Sequence, residues 1–160
     1  MIQKYCVELF DENENLNLYT IRLQNEKLTE FEKFLEKFPE GCEYTEDVDV
    51  IISWIEKITQ KGALSRYFKP EGGYGDGVGA IPIEVNNTIR LYCLRLNDNI
   101  LILGNGGVKD AGTWQESPTL RPFVELLRDT SRFINTRQQD GKILLNGKTI
   151  QGNLNFSRKI

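Results

Sequence analysis

The sequence predicts an α+β fold: an antiparallel or mixed sheet carrying two helices from the N-terminal half and one later helix. Three observations predict it. Runs of two-residue alternation (2–10, 17–23, 78–85, 88–96) flank runs of helical periodicity (26–38, 46–61, 118–135). The elements fall in the order β-β-α-α-β-β-β-α-β-β, in blocks rather than in strict alternation. A chain of 160 residues with 39% hydrophobic and 27% charged content fits one domain over 1–160 with a core of its own.

Residues 2–10 and 17–23 read as strands joined by the polar turn 11–15, an antiparallel hairpin. On the second strand Leu18, Thr20 and Arg22 share one face, and Tyr19, Ile21 and Leu23 the other. In 26–38, Phe31, Phe34, Leu35 and Phe38 fall on one helical stripe that Pro39 ends. In 46–61, Val48, Ile51, Ile52, Ile55 and Ile58 form the stripe, with Thr45 as candidate N-cap and Gly62 as stop. Residues 64–79 read as irregular. Strands at 88–96 and 100–103, apolar on both faces and joined by Asn97-Asp98-Asn99, form the expected central hairpin. Gly104–Glu116 reads as a loop. Ser117 is expected to cap a helix over 118–135 with Pro118 at its first position. The tail carries Asn146-Gly147 between apolar runs, a strong hairpin signal.

The chain contains no histidine. That removes Ser-His-Asp and Cys-His hydrolases, histidine zincins and paired-histidine ribonucleases, and leaves acid–base work to Lys, Arg, Tyr, Asp or Glu. Cys6, Cys42 and Cys93 are odd in number and widely spaced, so neither a disulfide framework nor a metal site is expected, and no cofactor is implied. Cys6 and Cys93 are expected as small core residues. No charged segment leads into an apolar one at the N-terminus and no apolar run spans a bilayer, so a cytoplasmic protein without membrane contact is expected. Charge divides along the chain. Residues 1–60 hold 6 Lys+Arg and 14 Asp+Glu, a net of −8, and residues 61–160 hold 14 and 9, a net of +5. An acidic whole argues against general nucleic-acid binding, yet the basic second half permits a local phosphate-facing patch.

Four places invite chemistry. Gly72–Gly79 resembles a phosphate loop only in composition, lacking the Gly-Lys-Ser/Thr ending, and reads more simply as a flexible loop. In Gly104–Asp110, glycines could converge N–H groups and Lys109 could add a point charge; a strand-ending turn with a solvated lysine reads equally well. Arg90 shares its face with Tyr92, and Arg95 lies on the opposite one; each must meet a carboxylate, Glu84 being a candidate, or open onto a cleft. Arg66, Tyr67 and Lys69 could supply charge and stacking, or form an ordinary connection.

Residues 81–134 resemble the RelE/HigB-like toxins of bacterial toxin–antitoxin pairs. The likeness rests on Ile89-Arg90-Leu91-Tyr92-Cys93, on Ile100–Leu103 running into a glycine-rich segment that ends at Lys109, and on the helix that follows, with the two earlier helices standing where that family has its helical hairpin. The resemblance implies a RelE-like core with extra N- and C-terminal hairpins. It also implies a metal-independent mRNA endoribonuclease, often ribosome-associated, held in check by an antitoxin with a helix-turn-helix domain. Arg90 and Lys109 carry over, with Arg66 and Tyr92 as further candidates. The alternative is a non-catalytic protein on the same scaffold that binds a helical partner.

Overall fold

The computed structural model describes residues 1–70, 76–81 and 88–160. Nine strands and three α-helices are found among them, an α+β architecture. The strands are β1 (Ile2–Glu12), β2 (Asn17–Leu23), β3 (Lys69–Pro70), β4 (Val78–Ile81), β5 (Ile89–Asn97), β6 (Ile100–Val108), β7 (Ile143–Asn146), β8 (Thr149–Gly152) and β9 (Asn155–Lys159). The helices are α1 (Glu30–Lys37), α2 (Thr45–Lys61) and α3 (Arg121–Gln139). Seven strands form one mixed sheet in the order β3-β4-β5-β6-β2-β1-β9, and β7 with β8 form a separate hairpin.

The β1–β2 and β5–β6 hairpins are antiparallel, as expected. β2 runs parallel to β6, from Asn17↔Ile100 to Thr20↔Leu103, joining the two hairpins into one sheet. Past Thr20 the two strands part. Alternation then sorts the side chains. Leu18, Ile89, Leu91, Cys93, Leu101 and Leu103 point to a core shared with α1 and α2. Tyr19, Ile21, Tyr92, Leu94, Ile100 and Ile102 point to a second core under α3.

Several boundaries differ from expectation, each for a local reason. α1 starts at Glu30 because Thr29 and Glu32 form a capping box: the Glu32 N–H donates to Thr29 Oγ1 at 3.2 Å and the Thr29 N–H to Glu32 Oε1 at 2.9 Å. Those bonds hold the Glu32 carboxyl below the usual carboxylate range. Thr45 is inside α2 rather than capping it; its hydroxyl donates to Cys42 O at 2.8 Å, and Gly62 ends the helix at φ +96°. α3 starts at Arg121, not Pro118; Ser117 caps the turn before it, accepting from the Leu120 N–H at 3.0 Å. Asn146 pairs with Thr149, so Gly147 and Lys148 make the last turn, Gly147 at φ +60°. β9, absent from the sequence reading, pairs with β1 through Phe156, which stacks on Tyr5 at 5.4 Å. Cys93 is buried, while Cys6 is only half-buried. Of the strand expected over 78–85, residues 82–85 lie outside the described residues, as do residues 72–75 of the Gly72–Gly79 run. Among the described residues no helix is long and apolar enough to cross a membrane.

Candidate functional site

The ends of β5 and β6 set the site. Arg90 stands opposite Gly107 and Ile89 opposite Val108. Lys109 follows at once, its N–H donating to Thr88 O at 2.6 Å. On β5 the two-residue period places Arg90 and Tyr92 on the α3 side. Arg90, Tyr92, Lys109 and Lys69 then line one cleft, closed above by Ala111–Trp114 and Leu120. Arg90 and Tyr92 form its floor, 3% and 2% exposed; Lys69 and Lys109 are exposed at its rim. Its volume is about 20 Å³, room for about one water. Arg90 Nη1 donates to Ile89 O at 3.0 Å, which helps fix the guanidinium plane. Glu84, the carboxylate proposed beside it from sequence, lies outside the described residues.

The roof is short and held at both ends. The Ser117 hydroxyl donates to Asp110 Oδ1 at 2.5 Å while accepting from the Leu120 N–H. Trp114, 7% exposed, carries the Arg128 guanidinium over its ring at 5.8 Å. On the other side, Thr88 Oγ1 donates to Asp47 at 2.9 Å, bringing the first turn of α2 close to Lys109.

Two sequence expectations are corrected here. Residues 104–108 are strand, not loop, so their N–H groups are not a phosphate cradle. The glycines serve close strand approach. A Cβ on Gly106 would collide with the Arg90 carbonyl, and one on Gly104 would sit 2.9 Å from Tyr92 O. Arg66 does not line the cleft; it is exposed, 5.3 Å over the Tyr67 ring. Arg95, on the opposite face, donates from Nε to Ala63 O and from Nη2 to Asp98, both at 2.5 Å, and is structural.

Lys69 belongs to this site more firmly than the sequence suggested, because β3 pairs with β4 and carries it beside β5. Lys37 was missed: helical periodicity assigns it to the solvated side of α1. Its amine instead donates to Asn105 Oδ1 at 2.9 Å and Gly106 O at 2.7 Å. Among the described residues no group of three or more Cys, Asp or Glu is placed to hold a metal ion.

No protein-family model, curated protein or solved structure matches the chain.

Proposed function

We propose that the chain is a toxin-like, metal-independent mRNA endoribonuclease of a bacterial toxin–antitoxin pair, with its site at the β5–β6 strand ends. The observation that carries this reading is the shared cleft of Arg90, Tyr92, Lys109 and Lys69. Such a set suits phosphate-ester cleavage without histidine. The ribose 2′-oxygen attacks the adjacent phosphorus, the P–O5′ bond breaks, and a 2′,3′-cyclic phosphate and a 5′-hydroxyl remain. Arg90 and Lys109 are assigned to the charge that builds on the phosphoryl oxygens. The 2′ proton passes to a rim amine or the Tyr92 oxygen, and the leaving oxygen takes one back. A cleft with room for about one water does not admit a phosphate group, so the Ala111–Trp114 roof lifts on binding.

Induced expression in bacteria tests the reading. Growth arrest with transcript cleavage leaving cyclic-phosphate ends, insensitive to chelator and relieved by Arg90→Ala or Lys109→Ala, supports it. Wild-type protein that neither arrests growth nor shortens transcripts refutes it.

A second reading, a non-catalytic protein binding a helical partner, is favoured by a groove of about 300 Å³ on the outer face of α2, lined by Asp49, Val50, Ser53, Trp54 and Lys57. Val50 there is 39% exposed.

A further inference from the structure

Ile51, Ile55 and Ile58 turn one side of α2 to the core, so the opposite side is the exposed one. Asp49, Val50, Ser53, Trp54 and Lys57 follow one another there at helical spacing and line the groove. Val50 is a β-branched apolar side chain left 39% exposed. Trp54, half-buried, tilts against Tyr67 at 5.6 Å. Ser53, small and exposed, stands at the middle of the stripe. Charge divides about it. Glu46 and Asp49 precede it, Lys57 and Lys61 follow it, and all four are exposed. Among the described residues none of the four enters an ion pair. The Lys57 ammonium rests over the Trp54 ring at 4.8 Å and the Tyr67 ring at 5.1 Å.

Such a stripe is complementary to its own reverse. The geometry points to a second copy of this chain as the occupant of the groove, the two α2 helices packing antiparallel about a two-fold axis level with Ser53. This takes from the second reading only that the groove is a docking face. Asp49 and Lys57 lie four residues to either side of Ser53. Reversal therefore sets each Asp49 against Lys57 of the other copy, and the two-fold makes the pair twice. Glu46 falls beside Gln60 and Lys61 of the other copy by the same reversal. Val50 and Trp54 lie together on one flank of the stripe, and the two-fold brings them onto their own counterparts, out of water. The small Ser53 at the crossing lets the helix axes come within about 8–10 Å.

The size of the contact sets its strength. α2 has 17 residues, about 25 Å of helix. One helix pair of that length falls short of the roughly 800 Å² per partner of a standard stable interface. The dimer is therefore weak and reversible, with a dissociation constant on the order of 100 μM.

Sedimentation equilibrium of the full chain from about 10 μM to about 1 mM is the test. Wild type is expected to pass from monomer to dimer and no further, because a two-fold contact closes on itself. Asp49→Lys alone, or Lys57→Asp alone, places like charges opposite each other and should weaken self-association at least about tenfold. Mixing these two variants restores both pairs in a mixed dimer, and so does placing both substitutions in one chain. Either recovery also shows that the substituted chains fold. Wild type that stays monomeric at about 1 mM overturns the proposal, and leaves the groove to a helix of a different protein, as the second reading has it. A dimer that neither single reversal weakens, or a loss that neither mixing nor the double substitution recovers, overturns it as well. RNA cleavage is decided by its own assay and by none of these outcomes.

Discussion

The two faces of the sheet are made of different chemistry. Under α1 and α2 the core is mostly aliphatic and phenylalanine: Leu16, Leu18, Phe31, Phe34, Ile51, Ile58, Ile89 and Leu91, all 4% exposed or less. Under α3 the core is threaded with polar atoms. The Tyr5 hydroxyl meets Thr130 Oγ1 at 2.8 Å, Tyr19 OH accepts from the Ile150 N–H at 3.0 Å, and Ser131 Oγ donates to Asp76 O at 2.6 Å. Arg90 and Tyr92 lie on that same side. An apolar face stabilises without orienting anything, because the hydrophobic effect has no direction. A hydrogen-bonded face fixes side-chain positions at a higher desolvation cost. On the proposed function, the first face is thus the scaffold and the second the working side.

The largest effects should follow from emptying the scaffold. Phe34 is fully buried and stacks with Phe31 at 6.3 Å and against Phe38 at 5.3 Å. Phe34→Ala should cost about 3–5 kcal/mol, read as a lower urea midpoint. The contrast between faces breaks if this costs no more than a single hydroxyl removed beneath α3.

Next comes the arginine pair on β5. On the proposed ribonuclease reading, Arg90→Ala should lower RNA cleavage by about 100-fold with little loss of secondary structure, and Arg90→Lys should not restore it, since a point charge replaces a planar fork. Arg95→Ala, five residues on and facing α2, should leave cleavage unchanged while loosening the Ala63–Asp98 connection. Equal losses from both would erase the distinction between the faces.

That distinction was readable in the sequence, because strand alternation needs only the residue order: Arg90 with Tyr92, Arg95 with Cys93. The apolar stripes of α1 and α2 were readable for the same reason. What was not readable needed spatial neighbours. Gly104 and Gly106 look the same in a loop as in a strand whose partner's carbonyls leave no room for a Cβ. β9 is Asn-Phe-Ser-Arg-Lys, with only Phe156 buried, so no periodicity marks it. Lys37 finds its acceptors 68 and 69 residues away, and the convergence of Lys69 with Arg90 depends on β3 pairing at the sheet edge. The Thr29–Glu32 box, by contrast, was present in sequence as a Ser/Thr-x-x-Glu pattern and could have fixed the start of α1.

A smaller effect tests the hydrogen-bonded face. Burial raises the Tyr5 hydroxyl from 10.0 to about 12, the bond to Thr130 opposing it. The folded state therefore holds this proton more tightly than the unfolded one. Its contribution is complete below pH 10 and is lost as pH rises from 10 to 12. Tyr5→Phe should cost about 1 kcal/mol at neutral pH and flatten the fall of stability across that alkaline window. A variant whose alkaline loss matches wild type would show that Tyr5 is not the group being titrated.

The smallest effect lies on the outer side of α3, and it separates polar atoms inside the working face from those merely on its surface. Arg121 opens the helix and pairs with Glu125 at 2.5 Å, side chains 60% and 44% exposed. Three features weaken this pair. It is solvated, so its Coulomb gain is small. The arginine precedes the glutamate, the less favourable order at this spacing. A cation at a helix N-terminus also opposes the helix dipole. Arg121→Ala should therefore move the urea midpoint by less than about 0.5 kcal/mol in stability, and adding salt should not change the difference. Tyr5 and Arg121 would then differ because one polar group is enclosed between sheet and helix and the other is not. A loss at Arg121 as large as at Tyr5 would mean that the outer surface of α3, and not only its buried side, is part of what holds the working face in place.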